Sequence, residues 1–287
     1  ESKVATANLH QKEWTISNLV TETADDAEMA GTLRWAVARA NDGAYNEIIF
    51  ADNLASASIV LTEDLIIDVD LTIAGATTVA GNRIIAEGDL TMNGWNYVRN
   101  EASALAPVYG LGLAGGLQPV KLIGDEDSRV DITNTDGDAV GIHNDASKLT
   151  MVWKGALEVS GAESAIGLLT EGAAVLGIEG TLVADARLGA VRAMAGGAAT
   201  LTVKGIIAAG NYAPTLGVDV AQVIADRQDY AALVDLSTGS AFIDGSLNAD
   251  GTLRLGANDN TVYAAAGALI FGDLVLAGGA NQLAIES

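Results

Sequence analysis

The residues best placed to do chemistry lie in one stretch, GDEDSRVDITNTDGDAVGIHND (124–145). It gathers Asp125, Asp127, Arg129, Asp131, Asp136, Asp138 and His143 within a short length of chain. Asp127, Arg129 and Asp131 alternate, so on an extended strand all three point to one side. Two chemistries use such residues. Carboxylates facing each other across a sugar hydrolyse a glycosidic bond. A lyase needs instead a base, Lys or Arg, and carboxylates that hold calcium against a uronate. Calcium is coordinated by several carboxylate oxygens, and Asp125, Asp127, Asp131, Asp136 and Asp138 are its expected ligands. The plainer reading is a solvated strand face. Val130 and Ile132 point inward, so the charged residues between them point out.

A second group is aromatic. Trp95, Tyr97 and Tyr109 fall in TMNGWNYVRNEASALAPVYGLGLAGGLQP (91–119). They could form a stacking platform for a sugar or peptide, or simply cover an edge of the fold. Other active-site types lack their residues. His10 and His143 are far apart in the chain, and there is no Cys to serve as thiol nucleophile or zinc ligand. No Ser–His–Asp order, P-loop or dinucleotide-binding glycine motif occurs. Gly110, Gly112, Gly115 and Gly116 follow no convincing strand, which predicts a loop.

The elements that position these groups follow from internal repeats. Three consecutive blocks align without a gap: residues 148–172, 173–197 and 198–222. Met151, Leu176 and Leu201 share a column, as do Trp153, Ile178 and Val203. Gly155, Gly180 and Gly205 align, followed by Leu157, Leu182 and Ile207, then Ile166, Val191 and Leu216. DAVGIHNDA (138–146) matches SAIGLLTEG (164–172), and LRLGANDNTV (253–262) matches LVLAGGANQL (274–283). A repeat of this length signals a solenoid. Within each block apolar residues alternate, the period of a strand rather than a helix. Short alternating strands broken by glycine once per turn predict an all-β parallel β-helix. The column glycine is expected at a corner that needs an unusual φ. A β-sandwich would also give many short strands, but it does not explain ungapped columns.

Composition agrees. The chain has 287 residues, 33 Gly, and only 4 Trp, 6 Tyr and 3 Phe. A wide core normally uses more aromatics, so a narrow core repeated many times is expected. With 49% hydrophobic residues the chain is too apolar for disorder. A formal charge of −22 opposes phosphate and anionic lipid, which argues against nucleic-acid or membrane-surface partners. No apolar stretch is long enough to span a bilayer as a helix.

Near the start, GTLRWAVARANDGAYNEIIF (31–50) places Leu33, Val37 and Ala40 on one face of a short helix, followed by strand Ile48–Phe50. Then comes SIVLTEDLIIDVDLTIAG (58–75). The order Thr32, Leu33, Arg34, Ala36, Ala40, Asn41, then Ile48, Phe50, Ile59, Leu61, Leu65, Ile67 and Leu71-Thr72-Ile73-Ala74-Gly75 resembles the opening segment of right-handed β-helix surface proteins of bacteria. GDLVLAGGANQLAIES (272–287) resembles the coils of autotransporter passenger domains. The resemblance implies a right-handed parallel β-helix with a helix capping its N-terminal end. It carries neither a translocating β-barrel nor a protease nucleophile. A cap is expected on physical grounds too, because a bare solenoid end exposes unpaired backbone groups. The expected organisation is an N-terminal strand and capping helix over 1–57 and coils over 58–287, with insertions near 91–119 and 221–234.

The expected function is that of an extracellular adhesive β-solenoid of a bacterial surface, outer-membrane-associated or secreted. Its partners would be a host or neighbouring-cell surface, a glycan or matrix. Absence of cysteine suits export, and acidity keeps such rods soluble. Two alternatives stand beside it: a self-assembling surface-layer or filament subunit that stacks through its ends, and a polysaccharide lyase or hydrolase. The pattern at Ser287 stops within a coil, so either more chain or another subunit is expected to cover that face.

Overall fold

In the computed structural model, the residues described are 18–94, 96–162, 165–185, 191–204, 206–209, 234–243, 246–248, 253–255, 261–264, 269–270, 274–276 and 280–286. The chain opens with β1 (Leu19–Val20), helix α1 (Leu33–Asn41) and β2 (Glu47–Phe50). It then makes repeated passes, each crossing the same three faces. The first pass is β3 (Ser58–Val60), β4 (Leu65–Ile67) and β5 (Leu71–Ala74). The second is β6 (Thr77–Ala80), β7 (Ile84–Ala86) and β8 (Leu90–Asn93). The third is β9 (Asn96–Ala102), β10 (Val108–Leu113) and β11 (Pro119–Gly124). The fourth is β12 (Arg129–Asn134), β13 (Ala139–Asn144) and β14 (Lys148–Trp153), and the fifth β15 (Ala156–Gly161), β16 (Ala165–Thr170) and β17 (Ala173–Ile178). After these come β18 (Thr181–Asp185), β19 (Val191–Val203), β20 (Ile206–Ala209) and β21 (Val234–Ile243), where β19 and β21 each serve two faces. The last strands are β22 (Ser246–Asn248), β23 (Leu253–Leu255), β24 (Thr261–Ala264), β25 (Leu269–Ile270), β26 (Leu274–Leu276) and β27 (Gln282–Ile285).

Strands of one face pair only with the same face of the next pass. One file runs β3, β6, β9, β12, β15, β18, β20, β22, β25. A second runs from β4 through β7, β10, β13 and β16, and a third from β2 through β5, β8, β11, β14 and β17. Every pairing within these files is parallel, which excludes an antiparallel sandwich. The chain is an all-β parallel solenoid.

The repeat columns are register partners. Met151 lies opposite Leu176, and Leu176 opposite Leu201; Trp153, Ile178 and Val203 align likewise. Leu157, Leu182 and Ile207 form a third column. The match of 138–146 with 164–172 holds as Ala139 on Ala165 and Ile142 on Leu168. That of 253–262 with 274–283 holds as Leu253 on Leu274 and Val262 on Leu283. Leu122, Met151, Leu176 and Leu201 are all buried, so similar apolar side chains stack into the narrow core.

One column is corrected. Val191 pairs with Leu168, while Ile166 pairs with Val140. Val159 and Leu168 are nine residues apart but their register partners Ala184 and Val191 are seven apart, so the ladder slips by two, an even number that leaves the alternation of the strand unchanged. Leu216 and Gly205 lie outside the described residues. The reason for the column glycine also differs from expectation. Gly155 and Gly180 have no left-handed φ. A Cβ on Gly155 would lie 1.8 Å from the Ser128 carbonyl oxygen, and one on Gly180 would lie 2.1 Å from that of Gly155. Close approach of stacked corners, not a special φ, selects glycine there. The left-handed corner is found earlier, at Gly75 and Gly94, with φ +92° and +80°.

Residues 91–119 are no simple insertion, because β9 and β10 within them are ladder strands. What is added is length at the corners: 103–107 and 114–118 replace the shorter corners 81–83 and 87–89 of the pass before. Polar residues on β9, including an inward Asn100, hide the alternation from the sequence. Gly110 and Gly112, expected in a loop, sit inside β10. Residues 221–233 lie outside the described residues.

The start of the stack is closed by α1, which lies against β1, β2 and β4. Leu33, Ala36, Val37 and Ala40 form its buried face, at the i, i+3, i+4, i+7 spacing of an amphipathic helix. Thr32 caps it, accepting from the Trp35 amide at 3.2 Å. Gly43, at φ +80°, ends it by donating to the Ala40 carbonyl at 2.8 Å. Charge fastens the cap. Arg34 donates to both oxygens of Asp25, at 2.6 and 3.0 Å, and to the carbonyls of Glu63 and Asp64. Asp25 also accepts from the amide and hydroxyl of Thr62. Burial opposes the Asp25 charge, yet these donors and the guanidinium outweigh it and hold its pKa below the ordinary value.

Candidate binding cleft

Strand length changes along the stack, and the change makes a notch. β3 to β8 are three or four residues long, whereas β10 to β17 are six. The third pass therefore overhangs the second. β9 pairs with β6 from Asn96 as far as Arg99, which lies opposite Ala80. β10 meets β7 only from Leu111 onward, opposite Ile84. Residues 100–102 and 108–110 thus project beyond the narrower pass.

The corner residues Gly81, Asn82 and Arg83 face this overhang. Between them and Asn100, Val108 and Tyr109 lies a cleft of about 350 Å³, with Asp64 and Pro107 at its borders. Arg83 is held to Asp64 through Nε at 3.0 Å and Nη2 at 2.6 Å. Its guanidinium carbon lies 5.4 Å from the centroid of the Tyr109 ring, within cation–π range. The Tyr109 ring is also 5.5 Å from that of His143, and His143 Nε2 is 3.0 Å from Glu171 Oε1. A row of residues from five passes, Asp64, Arg83, Tyr109, His143 and Glu171, thus starts at the corner before β4 and β7 and crosses the second file to the corner after β16.

Gly110 stacks on Gly141, and Gly141 on Gly167: a Cβ on each would lie 2.6 or 2.7 Å from the next carbonyl oxygen. It would also clash with Ile132 or Leu157 of the facing file. Glycine here lets the core side chains lie directly on backbone.

Asn100 closes the notch from within. It is 2% exposed and occupies a register position filled by Ile132 in the next pass and Val159 in the one after. Its Nδ2 donates to the carbonyls of Asn82 (3.2 Å) and Tyr109 (2.7 Å). Its Oδ1 is buried without a partner. Asn134, one pass on, does similar work in a completed ladder. Its Nδ2 donates to Ala106 and Asp138 carbonyls, and its Oδ1 accepts from the Ala104 amide at 3.1 Å.

The aspartates of 124–145 divide. Asp125 sits before β12, where Oδ1 accepts from the amides of Asp127 and Ser128 and the Ser128 hydroxyl, and Oδ2 from the Gly94 amide. It shapes its own turn. Asp136 and Asp138 follow β12, and Asp136 accepts from the Ser103 hydroxyl. Six residues of strand, roughly 20 Å, separate the two turns, far beyond the reach of one calcium shell. Asp131 lies on the strand between Arg99 and Glu158 in register, and Arg129 pairs with Glu158 at 2.9 Å. No group of three His, Asp or Glu able to hold a metal occurs among the described residues.

Trp95 and the side chain of Tyr97 lie outside the described residues. The Tyr97 backbone belongs to β9 and that of Tyr109 to β10, on different faces. Of the residues expected to bind, Tyr109 alone is placed in the cleft. Arg83, Asp64 and Asn100 were not legible as site residues. The available signal was a polar Asn100 at an inward position. Among the described residues no helix is long and apolar enough to cross a membrane. Compared with protein-family models, curated proteins and solved structures, the chain matches none.

Proposed function

We propose that the chain is a rigid, extracellular display rod of a bacterial surface, a right-handed β-helix that serves attachment. The observation that carries this is the unbroken parallel register from β2 to β17, which makes a stiff scaffold with outward positions repeated at each pass. The right hand is supported by the strong bias of parallel crossovers toward that sense. Repeated shallow faces suit many weak contacts that add by avidity. The net charge of −22 keeps neighbouring rods apart. Hydrolysis or elimination is less well supported, since Arg129 is tied to Glu158 and Asp125 to its own turn.

Beads coated with the protein test the role directly. They should be retained on epithelial cells or extracellular matrix under flow, well above albumin-coated beads. Equal retention of the two overturns it. A left-handed coil in a crystal structure would overturn the proposed hand.

A second reading, self-assembly through the ends, draws support from β27. All four of its residues are exposed, with Leu283 at 52% and Ile285 at 70%. A strand with exposed apolar side chains is a template for another strand, from this chain or from a second copy. Concentration-dependent growth in light scattering, abolished by Leu283→Lys, distinguishes this reading from a monomeric rod.

A further inference from the structure

We infer that the notch between Arg83 and Tyr109 is a binding site for a single neutral sugar unit. This deepens the attachment role proposed above and rests on it. The volume, about 350 Å³, lies at the small end of ligand pockets, so it suits one compact molecule rather than a polymer segment. The groups around it demand a ligand carrying both donors and acceptors. Asn100 Oδ1 is a buried acceptor with no partner, and such a group is costly until a donor reaches it. Asn134, two residues beyond the register partner of Asn100 in the next pass, has its oxygen satisfied by a backbone amide. The overhang supplies no such amide to Asn100, and the oxygen is closed off from solvent, so a ligand hydroxyl reaches it only once the side chain turns toward the cleft.

On the other side, Arg83 uses Nε and Nη2 on Asp64, which leaves Nη1 to donate to a ligand oxygen. The Arg83–Asp64 pair is neutral as a unit. An anionic ligand would therefore meet no uncompensated cation and would face the field of a −22 chain. Pro107, Val108 and the edge of Tyr109 add apolar surface to the same cleft. Vicinal hydroxyls on a ring with apolar C–H patches match this mixture. The Tyr109 ring already has Arg83 over it and the tilted His143 ring 5.5 Å away. The ring thus walls the site, and ring stacking is not its mode of recognition.

The test uses the whole chain and ¹H–¹⁵N spectra titrated with methyl β-D-glucopyranoside, methyl β-D-galactopyranoside and, as the charged comparison, glucuronate. At least one neutral glycoside should give saturable shifts centred on Arg83, Asn100 and Tyr109 at tens of millimolar. Arg83→Gln should weaken the response about tenfold while the rest of the spectrum is unchanged. Asn100→Ile, which restores the residue type of the next pass, should abolish it. If Asn100→Ile fails to fold, Arg83→Gln still decides. Absence of cleft shifts with both glycosides overturns the proposal, as do shifts centred elsewhere or tighter binding of glucuronate. The attachment role fails separately. Coated beads that adhere normally with Arg83→Gln protein leave the rod adhesive and remove the cleft from it, whereas sugar binding without bead retention removes the adhesive role alone.

Discussion

The first two passes and the next three solve the same stacking problem differently. The early passes are narrow: Leu71 pairs with Leu90 only nineteen residues on. They hold few inward residues per strand, so a helix and a charge clamp reinforce them. Arg34 and Asp25 stitch the segment before α1 to the corner at 62–64. The later passes are wider: Met151 to Leu176 takes twenty-five residues. They rely on six-residue strands, a large buried Trp153 and stacked aliphatic columns. Strand length thus decides whether electrostatics or packing density secures a pass. Where the two widths meet, the mismatch leaves backbone and Asn100 unmatched, and a cleft forms.

Substitutions can break this contrast. In the wide region Leu176→Ala, at 1% exposure between Met151 and Leu201, should cost about 4 kcal/mol. The loss, read from urea midpoints, should be the same at neutral and at mildly acid pH. In the narrow region Asp25→Ala should cost about 3 kcal/mol, because it removes the buried carboxylate that pairs with Arg34, whose own side chain is only 14% exposed. Hydrogen exchange should then speed up in α1 and β4 and leave β14 and β17 unaffected.

The clamp also fixes a pH dependence. The Asp25 pKa is depressed from 3.8 in the folded chain. Its stabilisation is therefore complete above that ordinary value and is lost as pH falls through the lower folded one. Protection of α1 should decline over that acid window in the native chain and stay flat in Asp25→Ala.

Smaller effects sharpen the comparison further. Gly155→Ala should cost about 2 kcal/mol, since the new Cβ must displace the Ser128 carbonyl. Arg129→Ala should cost under about 1 kcal/mol, because its pair with Glu158 is half exposed. A double-mutant cycle with Glu158→Ala measures that term, and a larger coupling would mean that charge matters in the wide region as well.

The columns at Met151, Trp153 and Leu157 could be read in advance because packing repeats a residue type wherever the same environment recurs. The slipped column at Val191 could not, since corner length is set by how adjacent backbones pass each other. Asn100 was missed for a related reason. Its environment exists only because a wide pass overhangs a narrow one. The carboxylates at 125–138 looked like one cluster in the chain, but a strand carries its two ends apart.

Periodicity and composition alone therefore determined that strands stack in parallel around a thin aliphatic core behind an amphipathic helix. These are properties of local spacing and of which side chains leave water. Only the tertiary structure decided the width of each pass, the glycines that corners require, and which polar groups meet at the step. Those depend on contacts between residues a full turn apart, which spacing within a segment does not encode.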